Sequence, residues 1–152
     1  MRPETQQRLT LVFGVLFLGM LLMLGRLMML AEHANAEDHR RFFLAIDSGE
    51  PDQVLALCDE RLAERIDRRA LADWLVELRA RHGRFRRIAR QGFVGTQETV
   101  DGTTRVRTEG PAEFDRGTIL AQLEYVGGRL VDIRIEDDGL RAAWLPDAGA
   151  GR

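Results

Sequence analysis

Hydrophobic positions fall along this chain in three regimes, and each predicts a different kind of element. From Leu9 to Gly25 no residue is charged, Arg26 interrupts, and apolar residues resume as far as Ala31. Written as a helix, residues 9–31 would measure about 34 Å, enough to cross a hydrocarbon core about 30 Å thick. After Ala36 the apolar residues recur every three or four positions. Phe42, Phe43 and Ile46 share one face, with Asp38, Arg40 and Arg41 largely off it, and Ser48-Gly49-Glu50-Pro51 ends that helix. Val54, Leu55, Cys58 and Leu62 predict a second helix over Pro51–Arg65. Leu71, Trp74, Leu75 and Leu78 stand at i, i+3, i+4 and i+7 and predict a third, opened by Asp67 as N-cap and closed by His82-Gly83.

From Arg84 onward the period becomes two. Arg84–Thr99 reads as a strand made irregular by Gly92 and Gly95, and Asp101-Gly102 is a hairpin turn signal. Thr103–Phe114 reads as a second strand, in which Gly110-Pro111 marks a bulge or an edge position rather than central pairing. After the turn Asp115-Arg116-Gly117, Ile119, Ala121, Leu123 and Tyr125 alternate along a third strand. Gly127-Gly128 turns the chain into a fourth, where Val131, Ile133 and Ile135 alternate with Asp132, Arg134 and Glu136. The fold class is α+β, three helices packed on an antiparallel sheet behind an N-terminal apolar segment.

Charge sets the orientation of that segment. Arg2 and Arg8 precede it, whereas Glu32, Glu37 and Asp38 follow, so positive-inside logic leaves residues 1–8 as a cytoplasmic stub, makes 9–31 a transmembrane signal-anchor and sends the rest outside. Arg26 would reach the outer headgroups by snorkelling. Localisation is then a plasma or inner membrane crossed once, with a periplasmic C-terminal domain over residues 37–138 and a tail, rich in Ala and Gly, over 139–152. The alternative is secretion after cleavage at Ala36, because Ala34-Asn35-Ala36 has the small-residue pattern of a signal-peptidase site.

Composition narrows the function classes only a little. The 152 residues carry a net charge of −2, which gives no global bias toward nucleic acid. All 22 basic residues are Arg, and the single Cys58, on a helical stripe, excludes an internal disulfide and a thiolate-built zinc site.

The stretches FFLAIDSGEPDQVLALC (42–58), LADWLVELRARHGRF (71–85) and TTRVRTEGPAEFDRGTILAQLEYVGGRLVDIRIED (103–137) carry a resemblance. Their order resembles the NTF2-like (cystatin-like) superfamily, in particular small bacterial domains of unknown function, over about residues 37–137. The resemblance implies a cone in which a curved sheet and helices enclose a pocket. Some relatives use that pocket for isomerase, dehydratase or hydrolase-like chemistry, and many only bind ligands or partners.

No residue pattern specifies a reaction, so no catalytic, cofactor-binding or metal residue is assigned and no cofactor is expected. His33, His39 and His82 match no metal-site spacing and fall on no predicted inward stripe, which makes them solvated or capping residues. Tyr125 fits core packing with its hydroxyl at the rim. Asp59-Glu60 and Asp137-Asp138 are adjacent pairs that do not converge, and there is no phosphate-cradling loop, G-x-S-x-G or H-E-x-x-H. The densest feature is RARHGRFRRIAR, where Arg79, Arg81, Arg84, Arg86, Arg87 and Arg90 form either a contact for anionic lipid or a surface neutralised by acids of neighbouring strands. The expected function is a membrane-tethered, non-enzymatic binding module for a partner protein or small ligand, without nucleic acid. The alternatives are a pocket enzyme using Tyr125 with an inward acid, and a structural or assembly subunit that pairs two copies.

Overall fold

The computed structural model describes residues 3–137 and 140–145, with side chains described outside 3–15 and 27–34. The chain divides into two compact units, residues 1–33 and 34–152. Among the described residues four helices precede five strands: α1 Pro3–Ser48, α2 Pro51–Leu55, α3 Glu60–Arg65, α4 Arg68–His82, β1 Phe85–Ile88, β2 Val94–Val100, β3 Thr103–Phe114, β4 Gly117–Val126 and β5 Arg129–Glu136. The α+β class and the antiparallel sheet are as the periodicity predicts.

In the first unit, the described side chains of residues 16–26 are all exposed, with Leu16, Phe17, Leu18 and Met20 to Leu24 between 50% and 67% open. Among the described residues no helix is long and apolar enough to cross a membrane. Much of the predicted span 9–31 lies outside the described side chains.

In the second unit, the predicted helix over Pro51–Arg65 is instead two short helices. The break is a hydrogen-bonding event: the Asp59 amide donates to the Leu130 carbonyl at 2.8 Å and the Leu130 amide to the Leu57 carbonyl at 2.9 Å, forming a parallel bridge at Cys58. Asp59 then caps α3, its carboxylate accepting from the Leu62 amide at 2.8 Å. Asp67 caps α4 as expected, accepting from the amides of Arg69 and Ala70.

The sheet runs β1-β3-β4-β5, and β2 also pairs with β3. The predicted strand Arg84–Thr99 is therefore two pieces on one edge, with β1 beside Ala112–Phe114 and β2 beside Thr103–Glu109. The gap between them faces Gly110-Pro111. The expectation that Pro111 avoids central pairing is corrected, because β3 is an interior strand and Pro111 pairs with Leu120 of β4. Proline is tolerated there because the neighbouring edge is interrupted and its carbonyl still accepts from the Ala89 amide at 2.9 Å. Phe93, in the gap, packs on Gly110, where an added Cβ would lie 2.6 Å from its ring. Asp101 and Gly102 both have positive φ, as a two-residue hairpin turn requires.

The core lies between the helices and the inner sheet face. Val106, Ala112 and Phe114 of β3, Ile119, Ala121, Leu123 and Tyr125 of β4, and Leu130 and Ile133 of β5 meet Phe42, Phe43, Leu71, Trp74, Leu75 and Leu78. Leu140 and Trp144 are also buried, with the Trp144 ring 5.4 Å from that of Trp74, so the packed part runs past the boundary expected at 138. Residues 146–152 of the expected tail lie outside the described residues.

Candidate functional site

Strand pleating that buries one side of β3, β4 and β5 turns outward a second side on which charged residues mix with Pro111, Leu120 and Val126. Val94 and Thr96 of β2, Arg107 and Glu109 of β3, Gln122 and Glu124 of β4, and Asp132 and Arg134 of β5 line an open groove of about 450 Å³ across this outer face. Pairing places Arg107 opposite Glu124, Glu124 opposite Asp132 and Gln122 opposite Arg134. Glu124 is the hub. It accepts from Arg107 Nε at 3.0 Å and forms an ion pair with Arg105, whose Nε lies 3.2 Å away, while Arg134 turns to Asp132 at 3.4 Å on its own strand. Such a floor offers donors and acceptors at strand spacing, which suits an extended polar segment better than a small apolar molecule.

The inner face holds the groups on which pocket chemistry would depend, and they are packed. His39 is fully buried, contrary to the solvated or capping position expected of it. Its Nδ1 is 2.8 Å from Thr108 Oγ1 and its Nε2 is 3.2 Å from the Gly110 carbonyl, between the rings of Phe43 and Phe93. A neutral ring satisfies both contacts, donating from Nε2 and accepting the threonine hydroxyl at Nδ1. Burial lowers its pKa to about 4, opposed only in part by the Gly110 carbonyl. One helical turn earlier, Asn35 is buried against Gly95, where an added Cβ would lie 2.7 Å from the Asn35 Cβ.

His82 is likewise buried, again correcting the expected solvated or capping assignment. Its Nε2 lies 3.1 Å from Asp137 Oδ1, and its Nδ1 lies 3.3 Å from the Arg116 carbonyl. Both partners present acceptor oxygens to the ring. This contact ties the end of α4 to the end of β5. The described residues include no side chain of His33.

Tyr125 packs in the core as predicted, its hydroxyl donating to the Asp38 carbonyl at 3.0 Å. Burial, with the Asp38 charge second, raises its pKa. Cys58 is buried, its thiol contacts the Val54 carbonyl at 3.4 Å, and burial pushes its pKa up to about 11. A thiol so protonated is a packing group and not a nucleophile. Among the described residues no cluster of three or more His, Cys, Asp or Glu could hold a metal ion.

The arginine-rich stretch is largely matched by acids. Arg79 and Arg84 approach Asp47, Arg81 approaches Glu77, Arg86 pairs with Asp115, and Arg87 forms a two-pronged pair with Glu113 at 2.7 and 3.2 Å. The Asp115 carboxylate is held below its usual pKa first by the Arg84 amide and then by Arg86, while the Glu113 contact raises Arg87. Among the described residues, Arg90 alone of the six lacks a carboxylate partner.

The chain matches no family model, no curated protein and no solved structure.

The groove is what the residue-by-residue reading missed as a site. Its signal was the strict alternation of Arg105, Arg107 and Glu109 with Val106 and Thr108, and of Asp132 and Arg134 with Ile133. Alternation reveals a wet face, whereas only strand register shows which charges meet across it.

Proposed function

We propose that this chain is a membrane-anchored binding module whose outer sheet face docks an extended segment of a partner protein. One contrast carries the reading: the space between helices and sheet is filled, while the opposite face holds an open polar groove. Phe42, Trp74, Leu123 and Ile133, the residues whose packing would leave an NTF2-like cone without a reaction chamber, are all buried. The order of helices and meander accords with an NTF2-like architecture turned to binding rather than catalysis.

Two observations favour the anchor. A helix with eight large apolar side chains half or more exposed between residues 16 and 24 is costly in water and favourable in lipid. Asn35, packed on Gly95, belongs to the second unit, so cleavage after Ala36 would remove a buried residue from the folded domain. The N-terminus then faces the cytoplasm and the sheet domain lies outside it, where tethering raises its effective concentration near membrane-bound partners.

The test places a photo-crosslinking residue at Gln122, or at Thr118 as control, in the full chain in its native membrane. A discrete protein adduct from Gln122, absent from Thr118 and abolished by Arg107→Glu with Arg134→Glu, is expected. Equal labelling from both positions would overturn the docking surface. A reporter fused to the C-terminus and active only in the cytosol would overturn the topology.

A further inference from the structure

The β2 strand has a partner on one side only. β3 pairs with all seven of its residues, and among the described residues no strand lies on its other side. Six of the seven are exposed, Val94 and Val100 at 58% each, and the strand contains no proline and only one charge, Glu98. Natural edges are ordinarily blunted by lysine, proline, bulges or a covering element. The start of the opposite edge is met in this way, where Leu130 of β5 is bonded to Leu57 and Asp59. Among the described residues the free edge of β2 is long and regular, and no strand pairs with it.

Its sequence is self-complementary in one register. A two-fold axis perpendicular to the sheet keeps outer faces together, so antiparallel pairing of two copies must join residues of the same pleat. Centred on Glu98, the pairing sets two carboxylates opposite each other. Centred on Thr96, it sets Val94 against Glu98. Centred on Gln97, it uses all seven residues: Val94 meets Val100, Thr96 meets Glu98, Gly95 meets Thr99, and Gln97 meets itself. Thr96 lies opposite Arg107 on β3, so Glu98 of the second copy would stand in the same row, two strands from Arg107.

We infer that two copies of this chain join through β2 in the register centred on Gln97, forming one sheet that continues across both. Val94 and Thr96 are the β2 side of the groove, so the second copy supplies Val100 and Glu98 beside them and extends each groove toward the other. The inference does not rest on what the groove binds. Loss of groove binding with the dimer intact would sink only the docking proposal, and loss of the dimer only this one.

The test uses the full chain in detergent micelles, with Cys58 left in place because it is buried. Opposed residues in such a pair have Cα atoms about 4.5–5.5 Å apart. Gln97→Cys should therefore be captured as a covalent dimer by a short bismaleimide, whereas Thr118→Cys, on β4, should not. Thr96→Glu adds a carboxylate opposite Glu98 of the second copy, twice per dimer, and should reduce dimer population roughly tenfold. Adding Glu98→Lys to that variant should restore it, a rescue that a fold defect would not show. Cross-linking at Gln97 no faster than at Thr118, or a Thr96→Glu effect that Glu98→Lys leaves unchanged, would overturn the inference.

Discussion

The two faces of the sheet are built from alternate residues of the same strands, yet their polar groups live under opposite rules. On the outer face, Arg107, Glu124, Asp132 and Arg134 are ion-paired but open to water, where each pair adds little stability. On the inner face, His39 has no water to fall back on, so its two hydrogen bonds and its neutral state are conditions of folding. The outer charges can exchange partners at low cost, while the buried hydrogen bonds of His39 cannot. Under the proposed docking function, recognition falls on the outer face and structure on the inner one.

The sharpest way to break the comparison is Phe43→Ala. Phe43 is fully buried, stacked on Phe85 at 5.7 Å and edge-on to Phe114 at 6.0 Å. Its removal should cost about 3–5 kcal/mol, read as a lower urea midpoint.

Acid comes next. His39 binds its proton far less readily in the folded chain, with a pKa of about 4 against 6.5 unfolded. Its contribution is therefore complete above about pH 6.5 and is lost progressively as pH falls toward 4, amounting to about 3 kcal/mol. Denaturant titrations at neutral and mildly acidic pH measure the slope. His39→Gln should flatten it, and an unchanged slope would assign the acid lability elsewhere.

Gly110→Ala is smaller, about 1–3 kcal/mol, because the new methyl meets Phe93 ring and backbone atoms, at 2.6 and 3.2 Å. The smallest effect belongs to the outer face: Arg107→Ala should change the unfolding free energy by less than about 1 kcal/mol. A loss as large as that of Phe43→Ala would erase the distinction between the faces.

Periodicity made much of this legible. The stripes on α1 and α4, the Asp67 cap, the Asp101-Gly102 turn and the burial of β4 follow from local chemistry that sequence displays. What escaped depends on partners distant in the chain. The split of Pro51–Arg65 needs the bridge to Leu130, about seventy residues away, and the position of Pro111 needs the break in the adjoining edge. His39 lies within reach of the sequence: it stands four residues before Phe43 and four after Asn35, although its place at the start of the first helix reads as solvated or capping and off any inward stripe. His82 could be placed only by its pairing with Asp137.

One carboxylate has a wider role than its exposure suggests. Asp47, in the last turn of α1, accepts from the Phe85 amide at 3.0 Å and from Arg79 at 3.4 Å, and its own carbonyl accepts from Arg79 at 2.6 Å. Helix end, opening strand and the flank of α4 are thereby latched at a single point. Deuterium uptake at the Phe85 amide would then report the fraying of a helix thirty-eight residues upstream, so these three segments open as one cooperative unit and not in sequence.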